Sequence, residues 1–388
     1  MAPPTKSHKI GIIGCGISGI AAAKQLSEHE PVVFEATDSI GGVWRHCSYT
    51  STKLQTPRCD FEFSDFPWST QTDYATDFPS YQEILDYLYS YATYFDVLRF
   101  VKFNSKVVEL RYIGEPENSG EYGNFSLGHP VWEVGVKTTQ SQNIQWYEFE
   151  FLVICTGKYG DVAAIPKFPE NKGPEIFEGK VLHTIDYCKL NQDESTQLLK
   201  DKKVVVVGYK KSAIDLAVEC AEANQVELDG GERLDADVVV LATGFDGKQK
   251  LKAIFPDSFR ALLDFPNSMM PLYRGTINPL IPNTAFVGYI ESVSNLQTAE
   301  IRCKWLSRLL AGHFKLPSSE RMLWHITEEM EIMKRATRFF KRSCISTFSI
   351  NHTDHICEEM GWNSWRKPNW LAEAFSPYTS RDYRQHQK

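Results

Sequence analysis

The stretch that decides the fold is residues 9–35, which read KIGIIGCGISGIAAAKQLSEHEPVVFE. An apolar run at 10–13 predicts a buried strand, the alanine-rich middle predicts a helix, and the apolar end predicts a second strand that stops at Glu35. Glycines stand at positions 14, 16 and 19, between the first strand and the helix. Together these elements predict one complete βαβ unit with the dinucleotide-binding pattern G-x-G-x-x-G in its turn.

Each glycine of this turn has its own physical role. Gly14 permits the tight bend, Gly16 lets the backbone approach a pyrophosphate, and Gly19 lets the helix pack closely on the strand. Cys15 and Ser18 lie around the N-terminus of the predicted helix, where free N–H groups and the positive end of the helix dipole favour phosphate. The turn is therefore predicted to bind the phosphates of a dinucleotide.

The residues after the second strand extend the predicted site. Glu35 follows Gly14 by 21 positions, close to the ~20 expected of a carboxylate that accepts ribose hydroxyls. A carboxylate repels a 2′-phosphate, so this site is predicted to hold FAD or NAD rather than NADP. Next come Gly42, Val43 and Trp44, where glycine lets the main chain pass close to the dinucleotide and tryptophan covers it. The alternative for this segment is a tight turn followed by a core tryptophan.

Two later strands are predicted to end at the same edge of the sheet. Residues 148–158 (EFEFLVICTGK) and 235–246 (DADVVVLATGFD) are apolar runs that stop at a Thr-Gly pair, and ligands bind at the carboxyl ends of parallel strands. We therefore include Thr156, Gly157 and Gly244 among the candidate FAD-binding residues. A short strand at 283–289 is followed by a helix that Ser294 caps.

Composition excludes several other classes of protein. The 388 residues carry a net charge of -7 and 42% hydrophobic residues, and no basic block interleaves with aromatic residues, so nucleic acid is not an expected partner. No apolar run approaches the ~18 residues of a membrane span, and we expect a cytoplasmic protein that binds small molecules. Nine scattered cysteines fit neither a disulfide framework nor a zinc site. We predict no metal, and the sequence carries no signal for oligomeric state.

A further stretch, residues 177–187 (FEGKVLHTIDY), matches F-x-G-x-x-x-H-x-x-x-[FY], the identifying sequence of flavin-containing monooxygenases, which are class B flavoprotein monooxygenases. Related Baeyer–Villiger enzymes carry tryptophan where this chain has Tyr187, so the resemblance favours the branch that oxygenates amines and sulfides. Residues 208–215 (GYKKSAID) and 54–68 (LQTPRCDFEFSDFPW) are most similar to plant members of the family. The motif marks a junction between domains, and we expect His183 to have a structural role.

The resemblance implies a particular chemistry. NADPH reduces bound FAD, and one oxygen atom of O₂ is transferred to a nitrogen or sulfur of a small nucleophile. The cofactor supplies the reactivity, whereas the protein supplies orientation and a dry pocket. The family places an asparagine about ten residues before the aspartate of its D-F-P motif. Here Asp65 begins that motif and Gln55 stands ten residues earlier, so Gln55 is a candidate contact of the flavin and the nicotinamide.

Residues 204–217 (VVVVGYKKSAIDLA) resemble a second nucleotide-binding turn. Gly208 holds the first glycine position, but Lys210 replaces the second glycine and Ala213 the third. Lys210, Lys211 and Ser212 are candidate NADP-binding residues because they begin a helix. The alternative is a buried strand followed by a solvated lysine pair.

The chain behind this turn is short. Thr243 follows Gly208 by 35 positions, and the helix and the terminal strand use most of this stretch. The remainder, 225–234, is predicted to be a hairpin around Asp229 rather than a second parallel strand with its own crossover. In the family this is where a strand carries an arginine for the NADPH 2′-phosphate and a substrate-facing insertion follows. The second domain is therefore predicted to be reduced.

The predicted fold class is α/β, a flavoprotein with two dinucleotide-binding domains and C-terminal helices. We assign a Rossmann-like FAD domain to 1–160 and 236–312, a truncated NADPH domain to 161–235, and a helical segment to 313–388. Two hypotheses follow: an NADPH- and FAD-dependent N- or S-oxygenase that uses O₂, or an FAD-binding remnant without NADPH-dependent turnover. A flavin disulfide reductase is a third possibility, but it requires a pair of redox cysteines near the flavin. No cysteine spacing in this sequence supports such a pair.

Overall fold

The computed structural model describes residues 6–68, 78–114, 127–223, 236–263, 270–338, 340, 343–347 and 349–384. Ten strands are formed in this part of the chain: β1 (Lys6–Ile13), β2 (Val32–Phe34), β3 (Val101–Lys102), β4 (Ser105–Tyr112), β5 (Trp132–Thr138), β6 (Ser141–Ile154), β7 (Lys180–His183), β8 (Val204–Val207), β9 (Val238–Leu241) and β10 (Thr284–Phe286).

Twelve α-helices accompany these strands in the described residues. They are α1 (Ile17–Gln25), α2 (Val43–His46), α3 (Tyr81–Tyr94), α4 (Thr184–Tyr187), α5 (Gln192–Leu199), α6 (Lys211–Ala223), α7 (Gly247–Lys252), α8 (Asp257–Arg260), α9 (Asn295–Leu310), α10 (Ser319–Ala336), α11 (Ser349–Glu359) and α12 (Trp370–Phe375). The fold class is the α/β class predicted, with helices at the C-terminal end.

The large sheet has the order β3-β2-β1-β6-β5-β4, and β10 pairs with β6. Strands β3, β2, β1, β6 and β10 are mutually parallel, so their carboxyl ends meet at one edge. The pairing registers Ile13 of β1 with Phe34 of β2 and with Ile154 of β6. Residues 10–13, 32–34, 151–154 and 284–286 of these strands are buried on both faces and form nearly continuous apolar runs, as is typical of parallel sheets.

The other half of the large sheet was not predicted from sequence. Strands β4, β5 and β6 form an antiparallel meander, and β6 runs from Ser141, seven positions before the strand expected from 148. Inward-facing residues of this meander, such as Trp132 and Val134, are fully buried in a second core beneath the sheet. The partial alternation of buried and more exposed positions in β4 and β5 is typical of an antiparallel sheet with one solvated face.

A second, small sheet contains three parallel strands in the order β7-β9-β8. Strand β9 lies in the middle, with Val238 opposite both Lys180 and Val204. The expectation that the strand of 235–246 lies in the FAD domain's sheet is therefore wrong. Strands of both sheets end in Thr-Gly, so the sequence does not distinguish which sheet takes the strand.

The small sheet is closely tied to the large one. Its apolar core includes Leu182, Leu216 and Val240, but also Tyr49, which comes from the segment after α2. Ser51, in the same segment, donates from its N–H to the Glu219 carboxylate of α6 at 2.9 Å. The small sheet therefore completes its core with a residue of the first part of the chain.

Two connecting segments join the sheets and pair with each other. The N–H of Ala164 donates to the carbonyl of Gly244 at 2.9 Å, and the Thr243 hydroxyl donates to the carbonyl of Ala164 at 2.7 Å. The N–H of Asp246 donates to the carbonyl of Val162 at 2.9 Å. The two crossings between sheets thus form one hydrogen-bonded ribbon. The predicted hairpin at 225–234 lies outside the described residues.

Helix α9 is the centre of the C-terminal half, and it buries charged side chains. Glu300 is 1% exposed and accepts from the N–H of Ser64 at 2.8 Å and from its hydroxyl at 2.7 Å. Lys304 lies 2.8 Å from Glu300 and also donates to the carbonyl of Tyr383. This network binds the D-F-P segment and the last described turn to the same helix.

A second buried network joins α9 to the C-terminal helices. Burial lowers the pKa of Arg302 to about 10, and its guanidinium lies 2.6 Å from Nε2 of His352 in α11. The other ring nitrogen of His352 pairs with Glu329 of α10. His352 begins the stretch HTDHIC (residues 352–357), and these contacts give it a packing role. Helix α10 ends at Ala336, within the segment 313–388 that was predicted to be helical.

Among the described residues, no helix combines the length and the apolar character that crossing a membrane requires.

Replacing Glu300 with alanine should destabilise the fold strongly. The substitution leaves the buried ammonium of Lys304 without its carboxylate, and breaking a buried ion pair typically costs about 3–5 kcal/mol. The free energy of unfolding from urea titration measures the effect. Glu331→Ala removes an exposed pair with Lys334 on α10 and should leave the unfolding midpoint unchanged. Equal midpoints for the two variants would contradict the assigned role of Glu300.

Candidate functional site

The first glycine turn is built by close packing at the carboxyl end of β1. Gly14 has φ +97°, and a Cβ there would lie 2.8 Å from the carbonyl oxygen of Cys155. A Cβ on Gly19 would overlap the carbonyl oxygen of Gly14. Both positions therefore require glycine, as the sequence predicts. The turn leads into α1, whose first N–H groups have no intrahelical partner.

The second pair of glycines faces the first turn. Gly42 has φ +58°, and a Cβ there would lie 3.1 Å from Cα of Gly16. The N–H of Gly41 donates to the carbonyl of Cys15 at 3.1 Å, which fixes the two loops side by side. Two glycine main chains thus form a cradle that any side chain would fill. Glycine main chain without side chains is the kind of surface that a pyrophosphate can approach closely.

Glu35 closes one end of this cradle. Its side chain is buried and accepts from the N–H of Cys15 at 2.8 Å and from the N–H of Thr37 at 3.0 Å. The Thr37 hydroxyl also donates to Glu35 at 2.9 Å and lies 3.1 Å from a ring nitrogen of His46. The carboxylate is therefore held in one position, with lone pairs left for further donors.

The cysteine inside the turn is not a reactive thiol. Burial, together with the nearby carboxylate of Glu35, raises the pKa of Cys15 above its ordinary value. The thiol stays protonated and adds no negative charge beside a phosphate. Cys15 therefore contributes its backbone N–H and its packing to the site.

The remaining candidates of the large sheet border the same edge. Thr156 follows β6, its hydroxyl lies 2.9 Å from the hydroxyl of Tyr289, and its carbonyl accepts from Lys250 at 2.7 Å. Ser18 lies against Gly288, which follows β10. These contacts join the ends of β1, β6 and β10.

Two glycines and two apolar side chains complete the set of candidate FAD-binding residues. Gly157 and Gly244 have positive φ, and a Cβ on either would meet open space. Val43 is exposed, whereas Trp44 is half-buried with its ring edge toward Phe61, centroid to centroid 5.9 Å. Sequence reasoning missed Thr37, Tyr289 and Lys250. Thr37 is predictable from sequence, because a hydroxyl two residues after a carboxylate can reach it. Lys250 is not, because it lies 94 positions from Thr156, whose carbonyl it contacts.

Gln55 is an exposed residue in the loop before Arg58. The structure places it in the segment between α2 and the D-F-P motif. The predicted contact with a flavin remains a prediction from the family pattern.

In the second glycine turn, backbone packing requires glycine at position 208. Gly208 has φ +152°, and a Cβ there would lie 2.6 Å from the carbonyl oxygen of Ala242. Lys210 supplies the carbonyl that begins α6 and is exposed, whereas Lys211 pairs with Asp215 one turn later. Ser212 lies beside the hydroxyl of Tyr49. One lysine of the predicted phosphate-binding pair is thus already neutralised by an aspartate.

The motif of 177–187 lies at the junction between the sheets. His183 ends β7, and its Nδ1 accepts from the N–H of Ile185 at 3.1 Å, which caps α4. Burial lowers the pKa of His183, so the ring is a neutral acceptor at neutral pH. The structural role predicted for this residue agrees with that contact.

Comparison with known proteins gives the family. The model of the family described as flavin-binding monooxygenase-like matches residues 7–233 and 221–375, two ranges that overlap at 221–233. A probable flavin-containing monooxygenase 1 of Arabidopsis thaliana is 45% identical over 511 aligned positions, which cover 97% of this chain and 96% of that protein. A putative flavin-containing monooxygenase 2 of the same plant is 44% identical and covers 91% and 97%.

Solved structures show the same fold. S-allyl-L-cysteine S-oxygenase from Allium sativum superposes with a TM-score of 0.70 over 92% of this chain and 89% of that one, at 21% identity. Tmm from Pelagibacter superposes with a TM-score of 0.71, at 19% identity, over 92% and 87%. FAD and NADPH, the cofactors predicted from sequence, are those of the family. The chain belongs to the flavin-binding monooxygenase-like family and is a plant-type flavin-containing monooxygenase.

Proposed function

We propose that the chain holds FAD along the carboxyl edge of the large sheet and oxygenates a nitrogen or sulfur of a small nucleophile, with NADPH as reductant. The observation that carries this proposal is the cradle in which Gly16 faces Gly42 beside the buried carboxylate of Glu35. No side chain separates the two loops where Gly16 and Gly42 meet. This is the surface that a pyrophosphate needs, and the carboxylate beside it fits a ribose.

The residues of this site would divide the cofactor between them. Glu35 accepts the ribose hydroxyls, and the N–H groups at the start of α1 face the pyrophosphate together with the positive end of the helix dipole. Trp44 covers the dinucleotide from the side of α2, and Thr156 with Gly157 borders it at the end of β6. Bound FAD supplies the redox and O₂ chemistry, which no side chain of this site provides.

The substrate class rests on the family pattern. The Allium neighbour is named as an S-oxygenase of S-allyl-L-cysteine, which is a soft sulfur nucleophile. Tyr187 ends the identifying motif of this chain, where Baeyer–Villiger relatives carry tryptophan. Both observations favour transfer of oxygen to sulfur or nitrogen over insertion beside a ketone.

A second candidate function is FAD binding without reduction by NADPH. In the described residues the small sheet has three strands, and β8 lies at its edge with no strand beyond it. The alignment with the first Arabidopsis relative spans 511 positions, more than a hundred beyond the 388 residues of this chain. The family match breaks at 221–233, directly behind the second glycine turn. These observations support a shortened NADPH domain.

The lysine of the second turn adds to this argument. The second glycine of a dinucleotide turn lets the backbone approach a pyrophosphate, and Lys210 places a side chain there. We therefore expect slow reduction by NADPH if reduction occurs at this turn. Changing Lys210 to glycine removes that side chain and should speed reduction.

Changing Gly42 to alanine should remove the flavin while the fold persists. The new Cβ narrows the gap to Gly16, so the FAD content of purified protein should fall at least about tenfold. Visible flavin absorbance relative to protein absorbance measures this content. Gly128→Ala is the matched control, because Gly128 also has positive φ but a Cβ there meets open space. Equal flavin content in both variants would place the dinucleotide elsewhere.

The decisive test of turnover is anaerobic reduction. Purified protein should be yellow, and its flavin absorbance should bleach on addition of NADPH if the chain is a working oxygenase. Dithionite serves as the control reductant. A yellow protein that bleaches with dithionite but not with NADPH selects the second candidate function, and a colourless protein contradicts the proposed FAD site.

A further inference from the structure

Helix α6 has three distinct faces. Ala213 and Leu216 are buried against the small sheet. Glu219 faces the first part of the chain, where it accepts from the hydroxyl of Ser51 at 2.6 Å. The third face is exposed and apolar. We call it the α6 stripe, and it consists of Ile214, Ala217, Val218 and Ala221.

The α6 stripe is a continuous surface, because residues at i, i+3, i+4 and i+7 lie on one side of a helix. Ile214 is 52% exposed and Val218 is 45% exposed. Beside this helix lies β8, the edge strand of the small sheet, followed by Tyr209, which is 83% exposed. No described residue of the chain covers this corner.

The position of the α6 stripe agrees with the shortening of the chain. The family match breaks at 221–233, at the end of α6, and the Arabidopsis relative has more than a hundred further positions. An apolar helix face and an unpaired strand edge at this point are therefore surfaces that a longer chain has the length to cover. In the described part of this chain, no element takes that place.

We propose that the α6 stripe is a self-association surface, on which α6 of a second copy of this chain packs antiparallel across a two-fold axis. Helix α6 spans Lys211–Ala223, so its midpoint is Ala217, and the stripe is centred almost at the same place. An antiparallel pair that crosses there superposes one stripe on the other. A two-fold interface requires such a self-complementary surface.

The side chains of the stripe are complementary in size in this arrangement. Ile214 faces Ala221 of the partner subunit, and Val218 faces Ala217 of the partner subunit. Each branched residue thus meets an alanine, which lets two helices approach and interdigitate. A parallel pair would instead set Ile214 against itself and Val218 against itself.

The charges of α6 favour the same direction. Lys210 and Lys211 stand at its N-terminus, where the helix dipole is already positive, and its last turn carries no basic residue. An antiparallel pair brings Lys210 of each copy to the carbonyl end of the other helix, where a cation is favourable. In this orientation the lysine near the N-terminus of each helix lies at the negative end of the other helix's dipole. That interaction offsets the unfavourable one within each isolated helix. This proposal does not depend on flavin chemistry.

Sedimentation velocity over a range of concentrations tests the proposal on the full chain. One helix pair buries less area than a standard interface, so we expect a reversible, concentration-dependent dimer rather than a permanent one. Val218→Glu places a carboxylate on each side of the two-fold axis and should weaken the dimer at least about tenfold. Ile332→Glu is the matched control on α10, where Ile332 is 49% exposed, and it should leave dimerisation unchanged.

Three outcomes would overturn the proposal. The chain sediments as a monomer at every concentration, or it dimerises with equal affinity when Val218 is replaced by glutamate. The third outcome is a monomer in which Val218→Glu lowers the unfolding temperature and Ile332→Glu does not, because the stripe is then covered by the chain itself.

Discussion

The contact between Gly19 and the carbonyl of Gly14 is the constraint on which the first half of the molecule depends. A side chain at position 19 would occupy the space of that carbonyl, so α1 lies close to β1 only because glycine stands there. This approach directs the N-terminus of α1 toward the space at the carboxyl ends of β1 and β2. Gly42 and Glu35 border the same space. The contact between Gly19 and Gly14 thus sets both the packing of α1 on β1 and the position of the backbone N–H groups at the candidate site.

The second turn separates these two roles. Gly208 is required by packing, since a Cβ would meet the carbonyl of Ala242, and this requirement holds with or without a ligand. Lys210 occupies the position that a pyrophosphate requires to be glycine. The turn therefore retains the glycine that the strand needs and carries lysine at the second glycine position of the dinucleotide pattern. A glycine pattern read from sequence mixes these two causes, whereas the structure distinguishes them.

Sequence alone predicted the elements whose signals are local. The βαβ unit, the strand Val204–Val207 and the helix that follows it are in place because apolar runs and glycine turns act within a few residues. The meander of β4 to β6 and the small-sheet position of β9 were not predicted, because partner choice depends on contacts distant in sequence. The same limit applies to the site. Glu35 was predicted from spacing, but Tyr289 and Lys250 reach Thr156 through tertiary packing alone.

The small sheet raises the question of how three strands persist as a sheet. Small sheets are marginal unless another element covers them, and here Tyr49 enters the core of the small sheet from the first part of the chain. Ser51 fixes α6 through Glu219, and the paired connections at Ala164 and Gly244 hold the crossing. The centre of the small sheet, where β9 pairs on both sides, therefore does not depend on what lies beyond β8. Among the described residues, α6 and β8 form the less covered side of the small sheet, whereas the sheet that carries Gly14 and Glu35 has a hydrophobic core on each face.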